Sequence, residues 1–146
     1  MKKMIIALLL VMVTFGTTAL AHGKEIDKNI QHIFNTQFAG AADVQWNIDA
    51  QFVEVDFTFN NMRLSAYYNN EGERLAVVRN VHFSLLPLTL QFDLKRNYKD
   101  YWITKISEVS TKDGTQYQAT LESANRTVKL GSVDGYDWEL MKREAK

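Results

Sequence analysis

Glu54 and Asp56 stand two residues apart, and Arg63, Ser65 and Tyr67 repeat that spacing a few positions later. In extended chain a period of two puts each set on one face. If the two segments pair as a hairpin, all five side chains share one surface. Two neighbouring carboxylates can do acid–base chemistry when burial or mutual repulsion raises a pKa, but nothing in the flanking residues supplies that burial. The same residues suit recognition: carboxylates and a guanidinium for charged groups, and Tyr67 as an aromatic anchor. They also suit an ordinary solvated sheet face with cross-strand charge pairing. Glu54, Asp56, Arg63, Ser65 and Tyr67 are therefore the candidate binding face.

The remaining reactive side chains are scattered. His22, His32 and His82 share no metal-ligand spacing. Were His22 the first residue of a processed chain, its amine and imidazole could hold copper with a second histidine, which His32 or His82 would have to supply. Ser84 has no Gly-x-Ser-x-Gly context and no neighbouring base is expected for it, so it reads as a helix cap, while His82 at the strand–helix junction is expected to cap or bond locally. No glycine-rich phosphate loop occurs. The chain has no cysteine, which excludes thiolate nucleophiles, thiolate metal sites and disulfides. No catalytic, cofactor-binding or metal-binding set is expected, and no cofactor.

The elements that would carry the candidate face follow from periodicity. Ile26, Ile30, Ile33, Phe34 and Phe38 fall on one stripe and predict a helix over 24–38, stopped by Gly40. Val44, Trp46 and Ile48 alternate with polar residues. Val53, Val55, Phe57 and Phe59 then alternate with Glu54, Asp56 and Thr58, the pattern of a strand with one dry face. Asn60-Asn61 supplies a two-residue turn, and Met62 to Tyr68 returns. Pairing Phe59 with Met62 sets Phe57 opposite Leu64, Val55 opposite Ala66 and Val53 opposite Tyr68, while Thr58–Arg63, Asp56–Ser65 and Glu54–Tyr67 become the polar pairs; a one-residue slip destroys both faces. A fourth strand is expected over 74–81.

Pro87 near a first turn, with Leu86, Leu90, Leu94 and Tyr98 at four-residue spacing, predicts a second helix, its stripe widened by Leu85, Leu88 and Phe92. Strands are expected over 102–110, around Tyr117–Leu121, around Val128–Leu130 and over 136–141. Trp46, Trp102 and Trp138 each fall in a strand and are expected in the core. Asn70–Leu75 resembles Val133–Trp138 at an offset of 63 residues, which reads as a duplicated unit with half-repeats of about 24–81 and 82–142. The expected fold is α+β: two tandem α-β-β-β-β units forming a curved antiparallel sheet, with two helices packed on one face.

Composition bounds the setting. Lys2 and Lys3 precede an apolar run over 5–13, which tapers to Ala19-Leu20-Ala21, the layout of a secretory signal cleaved after Ala21. The run is too short for a comfortable membrane span. Without residues 1–21, 15 basic and 17 acidic side chains remain, with no block of like charge, which argues against nucleic acid or an anionic membrane as partner. About 125 residues make one domain, residues 22–146.

Ala42–Asn47, Phe52–Phe57 and Ala66–Glu73, followed by Leu86-Pro87 opening a helix that ends near Tyr98, then Tyr101 and Tyr117 in successive strands, resemble the PepSY-like proteins, a family described as beta-lactamase-inhibitor-like with many exported members. The resemblance spans about Ile30 to Leu140 and implies a helix-on-sheet fold with a non-enzymatic binding or inhibitory role. It transfers no functional residue. The expected function is an exported module, periplasmic or secreted, that binds a protein or peptide through its open sheet face. The alternatives are a small-ligand carrier or enzyme with a pocket between sheet and helices, and an envelope protein with no discrete site.

Overall fold

A computed structural model describes residues 25–146. The expected leader over 1–21, its cleavage point and the role of His22 lie outside the described residues. In chain order the elements are α1 (Lys28–Gln37), β1 (Ala42–Ile48), β2 (Val53–Phe59), β3 (Met62–Tyr68), β4 (Arg74–Asn80), a 3-10 turn (Phe83–Leu85), α2 (Leu88–Asn97), β5 (Trp102–Thr111), β6 (Gly114–Glu122), β7 (Arg126–Ser132) and β8 (Glu139–Ala145).

The sheet corrects the expected architecture. All eight strands form one antiparallel sheet in the order β1 to β8, not two tandem four-strand units. A break between β4 and β5 would leave two rows of backbone donors and acceptors unpaired in the middle of the chain; instead β4 and β5 are neighbours in one ladder. The described residues also fall into two compact units. Val109–Gly114, the tip of the β5–β6 hairpin, clusters with residues 25–80, while Val81–Glu108 clusters with Thr115–Lys146.

In the first unit Asp27 caps α1, its carboxylate accepting from the Asn29 N–H at 2.7 Å. The cap starts the helix after Asp27, later than the apolar stripe alone implies. Ile30 and Phe34 are buried against Val53, Val55, Phe57, Leu64, Ala66 and Tyr68. Phe34 meets Trp46 and Phe57 edge-on, with centroids 5.2 and 4.9 Å apart, a favoured aromatic geometry. The β2–β3 register is the expected one, from Phe59 opposite Met62 to Val53 opposite Tyr68. Asn60 and Asn61 take φ of 50° and 61°, which the right-handed strand twist requires of such a turn. Gly72, at φ 88°, closes the β3–β4 turn against α1; a Cβ there would lie 2.9 Å from Ile33 Cδ1. Lys112 of the hairpin tip pairs with Glu73 at 3.6 Å.

In the second unit Leu86, Leu90 and Leu94 are buried with Ile106, Ala119, Leu121, Val128 and Leu130. Trp138 packs at the edge of this core and donates its indole N–H to the Leu90 carbonyl at 3.0 Å. Three expectations are corrected here. Ser84 caps no α-helix: His82 Nδ1 accepts from the Ser84 N–H at 3.3 Å and caps the 3-10 turn, and α2 begins after Pro87. The last strand starts at Glu139, because Asp134 accepts from the Tyr136 N–H and Gly135 takes φ 78°, forming a turn over Trp138's predecessors. Leu85, Leu88 and Phe92 do not widen the buried stripe; they point to water.

Candidate functional site

Strand alternation places the candidate residues on the face of the β2–β3 hairpin turned away from α1, because their neighbours Val53, Val55, Phe57, Leu64, Ala66 and Tyr68 fill the core beneath that helix. The register sets Glu54 opposite Tyr67, Asp56 opposite Ser65 and Thr58 opposite Arg63. On the far side of β2, Asn47 stands opposite Glu54 and Gln45 opposite Asp56. The face turned away from α1 therefore carries two cross-strand rows, Asn47–Glu54–Tyr67 and Gln45–Asp56–Ser65.

The first row is buried, which corrects the expectation of an exposed aromatic anchor. Tyr67 is 1 % exposed and Glu54 9 %. The Tyr67 hydroxyl donates to Glu54 Oε1 at 2.7 Å, and Asn47 Nδ2 donates to Oε2 at 3.4 Å. Phe52 stands edge-on to the phenol ring at 5.7 Å, and Ala76, the β4 neighbour of Tyr67, is small and buried. A phenol can be enclosed this way because its one polar group has a charged acceptor. Burial, then the Glu54 hydrogen bond, then the charges of Glu54 and Asp56 push its pKa well above the ordinary phenol value, so Tyr67 stays neutral. Both Glu54 oxygens accept hydrogen bonds from neutral groups, an arrangement that fixes a carboxylate rather than freeing it to move protons.

The second row is accessible. Asp56 and Ser65 are half-buried, and the Ser65 hydroxyl donates to Asp56 Oδ1. Arg63 is exposed and reaches across to the Asp43 carbonyl at 3.4 Å, where β1 bulges with Asp43 at φ 52°. All five candidate residues thus occupy one face, with Glu54–Tyr67 as its floor and Asp56, Ser65 and Arg63 as its accessible part. The sequence reading missed Asn47 and Phe52 as supports of the floor; Asn47 was legible only as a polar member of an alternating strand, and Phe52 precedes the strand.

The other candidates stay apart. His32 is exposed on α1. His82 Nδ1 lies 2.9 Å from the Ser84 hydroxyl, so Ser84 does have a neighbouring base, contrary to expectation. That nitrogen has one lone pair and also takes the Ser84 N–H, which makes the contact a turn cap. Among the described residues no three His, Asp, Glu or Cys side chains converge on a metal-sized site. Where a pocket beneath α1 would lie, the Phe38 and Phe57 rings sit 4.6 Å apart. Trp46 and Trp138 are half-buried against their cores, but Trp102 is exposed.

Comparison with known proteins supports the fold. No protein-family model matches the chain, and no curated protein matches it in sequence. Solved structures do match. A DUF2874 family protein from Bacteroides uniformis ATCC 8492 superposes with a TM-score of 0.72 at 10 % identity, covering 83 % of this chain and 90 % of that one. A BLIP-like protein from Bacteroides fragilis NCTC 9343 gives 0.70 at 11 % identity, covering 88 % and 92 %. A Bacteroides eggerthii DSM 20697 protein, described by inference as periplasmic, gives 0.69 at 12 %, covering 84 % and 90 %. The chain therefore has a BLIP-like fold, shared across nearly the full length of these proteins; identities this low carry the architecture alone.

Proposed function

We propose that the chain is an exported, non-enzymatic binding module whose β2–β3 face, on the side away from α1, meets a protein or peptide. The observation that carries this reading is the pair of carboxylates held there by neutral donors. Glu54 is fixed by Tyr67 and Asn47, and Asp56 by Ser65. Asp56 remains accessible to a cationic group of a partner, above the buried Glu54, and exposed Arg63 offers the opposite sign beside it. Rigid presentation by a sheet lowers the ordering cost of binding. The BLIP-like and periplasmic descriptions of the neighbours support the same reading, as do the PepSY-like resemblance and the leader expected over residues 1–21.

The test is capture of partners from a periplasmic extract by residues 22–146, with a purified β-lactamase offered as one defined partner. The expected result is capture that weakens at least tenfold in a combined Asp56→Lys, Arg63→Glu variant, and that falls with salt. Capture indifferent to those changes would place the binding surface elsewhere.

A further inference from the structure

Helix α2 buries Leu90 and Leu94 and turns a second apolar edge to water. Leu88 is 67 % exposed, Phe92 66 % and Leu85, one turn earlier, 60 %. A helix lying on a sheet does not require this: α1 turns out Lys28, Asn29, His32, Asn35 and Thr36. Contiguous exposed apolar side chains of this size mark a contact surface.

The ends of the edge are charged with opposite sign. Beyond Phe92 come exposed Lys95, Arg96 and Lys99, which outnumber half-buried Asp93, paired with Arg96 at 3.7 Å, and exposed Asp100. At the other end, the Thr89 hydroxyl donates to the Gly135 carbonyl at 2.9 Å, pinning the β7–β8 turn to the first turn of α2. That turn carries Asp134, Tyr136 and Asp137, all exposed. Along α2 the strip therefore runs acidic, apolar, basic. Such a strip is complementary to itself when turned end for end.

We infer that this strip binds a second copy of the chain, the two α2 helices lying antiparallel about a twofold axis between Leu88 and Phe92. The apolar edges meet at the centre, and the basic end of each copy meets the acidic turn of the other, the self-matching patch that a twofold dimer needs. An anionic lipid surface suits only the basic end and is repelled by Asp134 and Asp137. Only three large apolar side chains form the centre of the strip, where a standard interface buries roughly 800 Å² per partner, so the dimer is weak and concentration-dependent.

Sedimentation of residues 22–146 from about 5 to about 500 µM tests this. The expected result is an average mass rising from one copy toward two, with dissociation at least tenfold easier in Phe92→Glu. Two further variants fix the geometry: one with Lys95→Glu and Lys99→Glu, the other with Asp134→Lys and Asp137→Lys. Each repels itself and stays monomeric, while their equimolar mixture forms a one-to-one dimer. A wild-type chain that stays monomeric throughout, a dimer indifferent to Phe92→Glu, or a mixture no more associated than its components would overturn the proposal. None of these changes touches the β2–β3 face, so its failure and that of the proposed function are read separately.

Discussion

Tyr67 and Glu54 carry the floor of the candidate site between them. The phenol O–H occupies one carboxylate oxygen in a place where water does not replace it. Tyr67→Phe is expected to cost about 2 kcal/mol, the range for a buried hydrogen bond to a charged group, read as a lower urea midpoint at unchanged slope. The raised phenol pKa fixes the pH dependence. The fold favours the protonated form, so the contribution is complete below the ordinary value of 10.0 and is lost as pH rises beyond it. Tyr68, pushed up to about 12 chiefly by burial, acts in the same direction. Stability should therefore fall from pH 10 upward, less steeply in Tyr67→Phe, as followed by unfolding midpoints across alkaline buffers. Gln116 gives the opposite prediction. Its buried Oε1 lacks a hydrogen-bond partner among the described residues. Replacing it with methionine, similar in length and apolar, should raise stability by about 1 kcal/mol in the same assay.

The β2–β3 hairpin shows why some elements could be read from sequence. Two asparagines at a turn and seven alternating residues on either side leave one register that keeps both faces consistent, and that register is observed. Asn61 occupies a left-handed conformation at φ 61° that glycine adopts without steric cost. Asn61→Gly is expected to stabilise by about 0.5 kcal/mol, shown by a higher melting temperature. Elsewhere the local pattern was silent. Leu85, Leu88 and Phe92 fit a broad buried stripe as well as an exposed edge, because periodicity gives a side chain's direction but not what covers it. Tyr67 was assigned to the correct face for that reason, yet its burial by Phe52 depends on a ring outside the strand. The His82–Ser84 contact arises from a 3-10 turn too short to leave a periodic signal.

At the level of the whole chain, the direct β4–β5 pairing was the feature least accessible from sequence. β4 and β5 are neighbours across a connection of 81–101 that contains a helix, and no local pattern encodes that pairing. The apparent repeat at an offset of 63 residues instead favoured two tandem four-strand units. One sheet makes a separate prediction. A fragment ending at residue 81 lacks Val109, which is almost fully buried, and Lys112, which pairs with Glu73, and it leaves β4 as an open edge. It should be aggregation-prone and lack the sharp amide spectrum of the full chain. A well-dispersed, monomeric fragment would contradict this.

The proposed function requires the face of β2 and β3 turned away from α1 to be the surface that meets a partner. A photo-crosslinking amino acid placed at Arg63 or Gln45, on that face, and at Asn35, on the outer side of α1, tests it in cells exporting the full chain. Adducts from Arg63 and Gln45, with none from Asn35, are the predicted result; adducts from Asn35 alone, or equally from all three positions, would contradict it.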